Sequence, residues 1–230
     1  MSRCRCFINS YFEVLDRMQK LSRKLVHTLA GPLFLVCWPL YSSAEYAQYL
    51  AALVPSLNIV RLLLAGLQVV DDPRAVSAMT RTGDPAELLR GPLYYVIVLC
   101  AVTAIYWRHS TVGIVITSLM CGGDGLADII GRKWGKSNPL PWNQSKSWAG
   151  SAAMFGGGLV MALMLIQYFS YFGYIDLDLF PTMAAVTLIS FVAAVIESLP
   201  INQILDDNLS VPGVAALMGV ALLQFLIEVV

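Results

Sequence analysis

Residues 149–172 read AGSAAMFGGGLVMALMLIQYFSYF, a run without one charged side chain. A helix over this stretch rises about 1.5 Å per residue, enough to cross the ~30 Å hydrocarbon core of a bilayer. The fold follows from this one segment: its natural solvent is lipid.

Outward from it, comparable runs recur at roughly 25–41, 46–70, 91–107, 111–128, 179–199 and 212–230. The chain is 57% hydrophobic and 13% charged, where a soluble domain carries about 25% charged residues. The pattern predicts an all-α, polytopic membrane protein of about seven transmembrane helices. No soluble domain fits between the spans, so the organisation is a basic N-terminal segment, 1–24, and a single transmembrane domain, 25–230. The formal net charge is zero, which excludes a global basic surface for nucleic acid. The bilayer is therefore the first partner, and the oligomeric state stays open.

The basic residues are distributed unevenly. Arg3, Arg5, Arg17, Lys20, Arg23 and Lys24 precede the first span, Arg74, Arg81 and Arg90 follow the second, and Arg132, Lys133, Lys136 and Lys146 follow the fourth. With seven spans these groups share one side, and the other receives only Arg108. By the positive-inside rule that basic side faces the cytosol, or the stroma in a plastid. Arg61 lies within a span, where an unpaired charge costs at least about 2.5 kcal/mol, so it needs either a partner, with Glu197 as the candidate, or an interface to which it can snorkel. Cys4, Cys6, Cys37, Cys100 and Cys121 lack Cys-x-x-Cys spacing and suggest neither zinc nor a disulfide framework. The first residues, Met-Ser-Arg-Cys-Arg-Cys-Phe, are basic but have no signal-peptide core.

Immediately upstream of the opening run lies the polar stretch that carries chemistry: CGGDGLADIIGRKWG at 121–135, then KSWAGS at 146–151. Asp124 and Asp128 are four apart, so on a helix they share a face and can present two hard oxygen ligands to Mg2+. Gly131 and Gly135 continue that strip without side chains, which lets a phosphate chain approach the backbone. Arg132, Lys133, Lys136 and Lys146 supply cations, with no acidic residue between 129 and 150. Lys146, Ser147, Gly150 and Ser151 open the next helix, where free N–H groups favour an anion. A Gly-x-x-x-Gly alone is a helix-packing face, and a basic loop alone is a topology signal. In combination with the aspartates they read as a Mg-nucleotide cradle.

A second cluster, ESLPINQILDDNLSVP at 197–212, is acidic and lies on the same predicted side. Asp206 and Asp207 are candidates for a metal ligand or a general base for an alcohol. The alternative is capping, with Asn208 or Ser210 before a helix that carries Pro212 at its start. A third feature, Arg23-Lys24-x-x-His27-x-x-x-Gly31, enters the first span, and His27 can serve as a proton shuttle or a structural interface residue. His109 reads as interfacial.

On these residues the chain resembles a known family. Asp124-x-x-Ala127-x-x-x-Gly131-x-x-x-Gly135 with Lys146-Ser147-x-x-Gly150 is similar to the CTP-binding signature of dolichol kinases and phosphatidate cytidylyltransferases. The wider set resembles the polyprenol kinase family of phytol and farnesol kinases, most closely its chloroplast phytol kinase branch. That set adds Arg23-Lys24-Leu-Val-His27, Glu87-Leu-Leu-Arg-Gly-Pro92, Glu197-Ser-Leu-Pro and Asp206-Asp207-Asn208. Ala149 stands where the cytidylyltransferase pattern has an acidic residue, which argues against a CDP-lipid synthase. The resemblance implies an enzyme of a chloroplast membrane that phosphorylates phytol with CTP and Mg2+ in tocopherol synthesis and phytol salvage. The alternatives are a farnesol or geranylgeraniol kinase, a CDP-lipid-forming cytidylyltransferase, or a transporter built on the same helices. Under the kinase reading Asp124 and Asp128 hold Mg2+, and Arg132, Lys133 and Lys146 hold phosphate. Gly131, Gly135 and Gly150, with Ser147 and Ser151, line its approach, and Asp206 or Asp207 meets the alcohol.

Overall fold

The structure is a computed structural model that describes residues 28–176, 178–200 and 206–224. Helix α1, Thr28–Leu40, is short and apolar and ends in a 3-10 turn. Then come α2 (Ala47–Gly66), α3 (Pro73–Met79), a 3-10 turn Pro85–Leu89 and α4 (Gly91–Ile105). Helix α5 (Thr111–Ser118) passes through a π-helical turn, Leu119–Gly123, into α6 (Asp124–Trp134). A two-stranded hairpin follows, β1 (Pro139–Leu140) antiparallel to β2 (Asn143–Ser147). The described residues close with α7 (Trp148–Tyr171), α8 (Leu179–Ser198), α9 (Asp207–Gly219) and a π-helical turn, Val220–Gln224.

Among the described residues, five helical stretches are long and apolar enough to span a membrane, rather than the seven expected. They are Ala47–Gly66, Pro85–Ile105, Thr111–Ser137, Trp148–Tyr171 and Leu179–Ser198. The other two expected spans correspond to shorter apolar helices, Thr28–Leu40 and Asp207–Leu223, and both expected ranges extend beyond the described residues. Outward-facing side chains such as Leu57, Val160, Phe180 and Phe191 are more than half exposed, as a lipid-facing surface requires.

The centre of the bundle is α5, every residue of which is buried. Helices α4, α7 and α9 pack around it, and α6 runs along α7. Helical hydrogen bonds absorb its polar hydroxyls: Thr117 donates to the Gly113 carbonyl at 3.0 Å and Ser118 to Ile114 at 2.7 Å. The fourth span continues to Ser137 instead of ending near 128, and its polar end carries residues that line a cleft. The π turn just before Asp124 is the kind of helical irregularity that recurs at functional sites.

Two local expectations change. Arg61 bonds Asp72 at 2.6 Å, not Glu197, and its side chain is half exposed near the end of α2. Asp72, which also caps α3 by accepting from the Ala75 amide, has its carboxyl held below the usual range chiefly by the Arg61 hydrogen bond. At α9, Asp206 is the cap, accepting from Asn208 N at 2.9 Å, and Pro212 lies inside the helix instead of at its start. At the far end, buried Arg108 donates to the Trp38, Tyr41 and Ser42 carbonyls and stacks over Tyr174, and exposed His109 meets the same ring edge-on.

Candidate active site

The polar residues converge on a cleft of about 940 Å³ at one end of the bundle. That volume is at the upper end of the range typical for small-molecule sites. It is walled by α6, the hairpin and the start of α7 on one side, and by α2, α3 and the N-terminus of α4 on another. The end of α8 and the beginning of α9 complete it. Trp134, Trp142 and Trp148, all about half exposed, surround the hairpin, where indoles anchor a protein at the membrane–water interface.

Helix α6 carries Asp124, Asp128 and Gly131 on one face, and Gly135, its C-cap, continues that i, i+4, i+7, i+11 series, as read from the sequence. All four line the cleft. The glycines also perform helix packing: a Cβ on Gly131 would lie 3.6 Å from the Gly150 Cα, and one on Gly135 would lie 2.7 Å from the Ser147 Cβ. Buried Ser147 ends β2 and caps α7, accepting from the Gly150 amide at 3.1 Å. Gly135→Ala therefore displaces the residue that caps α7. We expect it to lower thermal stability in detergent by about 1–3 kcal/mol. Gly156→Ala, where a Cβ meets no atom within 4 Å, should leave stability near that of the parent.

Lys146 projects from β2 to the ends of two helices. Its Nζ donates to Glu197 at the end of α8 and to Asp207 at the start of α9, the latter at 2.9 Å. Asp124 completes the group: one carboxylate oxygen each from Asp124, Glu197 and Asp207 lie within 4.8 Å of one another. The Glu197 side chain is only 4% exposed, so it depends on the ammonium beside it. Burial alone would lower the Lys146 pKa, but the charges and hydrogen bonds of Glu197 and Asp207 outweigh it and leave it above the ordinary 10.5. The contribution of the Lys146 charge is therefore present below the ordinary lysine value and is lost as pH rises through the raised one.

The hairpin is tied to this point. Buried Asn143 donates from Nδ2 to the Ser198 and Leu199 carbonyls at 3.1 and 3.3 Å and accepts from Ser145 through Oδ1. This clasp joins the strand that carries Lys146 to the helix end that carries Glu197.

The remaining sequence candidates fall as follows. Asp128 lines the cleft and pairs with Arg132 at 2.9 Å. Lys133 lies over the Trp134 ring at 4.6 Å and is not among the lining residues. Ser151 lines the cleft with its hydroxyl buried and without a hydrogen-bond partner among the described residues. Asp206 also lines the cleft, and its carboxylate caps α9, so of the two adjacent aspartates Asp207 is the one turned to Lys146. His27, Cys4 and Cys6 lie outside the described residues. The sequence reading missed Glu197 as a member of the site, along with Arg81 and Arg90, which also line the cleft. The motifs Glu197-Ser-Leu-Pro and Glu87-Leu-Leu-Arg-Gly-Pro92 contained the signal.

Three hard carboxylate oxygens gathered around an interfacial cleft fit a divalent cation of the Mg2+ type. Such a donor set is suited to phosphoryl chemistry, in which positioning and charge neutralisation dominate.

Comparison with known proteins agrees on a kinase. A probable phytol kinase 1, chloroplastic, from Glycine max is 48% identical over 207 residues, covering 90% of this chain and 68% of that protein. Phytol kinase 1, chloroplastic, of Arabidopsis thaliana is 46% identical over 194 residues, 84% of this chain and 64% of its own. The chloroplastic farnesol kinase of Arabidopsis thaliana is 45% identical over 201 residues, 87% and 65% respectively. No family model matches, and no solved structure matches.

Proposed function

The chain belongs to the family of chloroplast phytol and farnesol kinases, and from that membership we propose that it transfers the γ-phosphoryl group of CTP to the hydroxyl of phytol. It is a membrane-embedded kinase of isoprenoid alcohols in the chloroplast. Its product, phytyl phosphate, would feed tocopherol synthesis and phytol salvage. The observation that carries the reading is the meeting of Asp124, Glu197 and Asp207, the last two held by Lys146, at a cleft on the membrane interface. The choice of CTP rests on the likeness of Asp124 through Gly150 to the signature of CTP-using lipid enzymes.

Asp124, Glu197 and Asp207 would hold Mg2+, which when bound neutralises charge on the donor's phosphates. Asp128, the second metal ligand expected from sequence, supports this from the same helix face while it holds Arg132. An acid at the start of α9, Asp206 or Asp207, accepts the hydroxyl proton as the alcohol oxygen bonds to the γ-phosphorus, and the bond to the bridging oxygen breaks to release CDP. Lys146 holds Glu197 and Asp207 in register for that step. The close packing of Gly131, Gly135 and Gly150 lets the phosphates approach backbone N–H groups at the start of α7.

The alcohol's chain has an apolar route to this point. A groove of about 470 Å³ between α7 and α8 is lined by Phe155, Phe180, Met183, Ala184, Thr187, Leu188 and Phe191. Ser151 lines the cleft and Phe155, one turn further along α7, lines the groove. Ala184 lies thirteen residues before Glu197 on α8, roughly 20 Å along the helix. Ala184→Trp fills the far part of the groove, so we expect the KM for phytol to rise at least about tenfold over that for farnesol. Equal changes for both alcohols would separate the groove from substrate binding.

Competition among phytol, geranylgeraniol and farnesol, each with CTP, UTP or ATP, tests the proposal. Phytyl phosphate formed preferentially with CTP is the expected result, and a preference for farnesol would assign the chain to its farnesol kinase relatives. Absence of any phosphorylated alcohol would overturn the proposal.

A further inference from the structure

The cations read from sequence as phosphate ligands are mostly engaged. Arg132 is held by Asp128, Lys146 by Glu197 and Asp207, and Lys133 lies over Trp134. A triphosphate carries more negative charge than the one remaining lysine of that group on the cleft, Lys136, can match. Mg2+ held by the carboxylate trio would offset part of the remainder, and the other wall of the cleft carries two further cations, Arg81 and Arg90. Both are exposed and neither forms a close ion pair among the described residues, although the Glu87 carboxylate lies near enough to feel the Arg81 charge.

The loop that bears them has an ordered internal structure. Glu87 accepts from the Arg81 amide, from the Thr82 amide and from the Thr82 hydroxyl at 2.8 Å, so the one acid among Arg81's near neighbours on the cleft is bound to backbone and hydroxyl groups. Thr80 Oγ1 donates to the Val76 carbonyl at 2.7 Å and accepts from Gly83 N, whose φ of +85° makes the turn. Asp84 caps the next 3-10 turn through the Ala86 amide, and fully buried Leu88 anchors that turn in the core. Arg90 lies at the junction with α4. A Cβ on the following Gly91 would lie 3.3 Å from Asn208 Nδ2 and 3.7 Å from Asp206 Oδ2, so the junction abuts the helix end that carries Asp207.

We infer that Arg81 and Arg90 bind the phosphate groups of the donor nucleotide, closing the cleft from the wall built by α2, α3 and α4. This rests on the kinase reading above. Guanidinium suits the role because it presents paired N–H donors to phosphate oxygens and is always charged. The same chemistry could serve the phosphate of a membrane lipid headgroup, which the experiment separates.

The test is calorimetric titration of CTP into the purified full chain in lipid-free detergent, with alcohol phosphorylation measured alongside. Arg81→Gln and Arg90→Gln should each weaken CTP binding at least about tenfold and raise the KM for CTP without raising that for phytol. Arg74→Gln removes the same charge from α3 away from the cleft and should leave both unchanged. Parent-like CTP affinity in both cleft variants, with activity lost only in vesicles containing anionic phosphatidylglycerol, would assign the arginines to lipid and overturn the inference. A parent protein that binds CTP without phosphorylating any alcohol, while the variants weaken that binding, would sink the kinase reading alone. A parent protein that fails to bind CTP would sink both.

Discussion

Replacing Lys146 by methionine should cost the folded protein about 3–5 kcal/mol, and phosphorylation should fall below detection. Methionine keeps much of the side chain's apolar length and removes the ammonium, so it leaves Glu197 and Asp207 close together without the cation between them. Glu197 is nearly inaccessible to water and cannot recover its hydration in place. The double variant Lys146→Met, Glu197→Gln removes one charge of each sign. It should regain a substantial part of the lost stability without regaining activity. Thermal unfolding in detergent measures the first effect and turnover the second. A single variant as stable as the parent would mean that the ammonium and the carboxylates are not coupled.

The second large effect is expected at Asp124, where asparagine preserves shape but loses charge. Its carboxylate belongs to the trio that gathers at the cleft, and the other two members already share Lys146. Phosphoryl transfer depends on cations placed on the moving charge, and one such cation can be worth about 10³–10⁵ in rate. Asp124→Asn should therefore lower kcat at least about a thousandfold and raise the Mg2+ concentration needed for half-maximal activity. Its thermal stability should change far less than that of Lys146→Met, because a neutral amide eases the repulsion among the carboxylates. Near-normal turnover would remove Asp124 from the mechanism.

How much of this could be read from the sequence depends on the distance over which each contact acts. The face of α6 was legible because Asp124, Asp128, Gly131 and Gly135 obey helical spacing, a local rule. The Lys146 clasp was not, because its partners lie 51 and 61 residues away and meet it only when α8 and α9 pack beside the hairpin. Sequence alone leaves Arg61 a choice between pairing with Glu197 and snorkelling to an interface. Arg61 instead reaches Asp72, eleven residues on, once α3 folds back. Hydropathy also misjudged where spans end. Polarity after residue 128 looked like the end of a helix, but α6 continues because that face lines a cleft. The cations of 132–146 were legible by type, but spacing cannot reveal that Arg132 and Lys146 also engage carboxylates.

The central claim is that the cleft of Asp124, Lys146, Glu197 and Asp207 moves the terminal phosphoryl group of a nucleotide to an isoprenoid alcohol. Purified protein incubated with phytol, Mg2+ and CTP labelled at either the γ or the α phosphorus tests it most directly. The account requires label from the γ position, and none from the α position, in the lipid product. Label arriving from the α position would instead mean cytidylyl transfer and would contradict it.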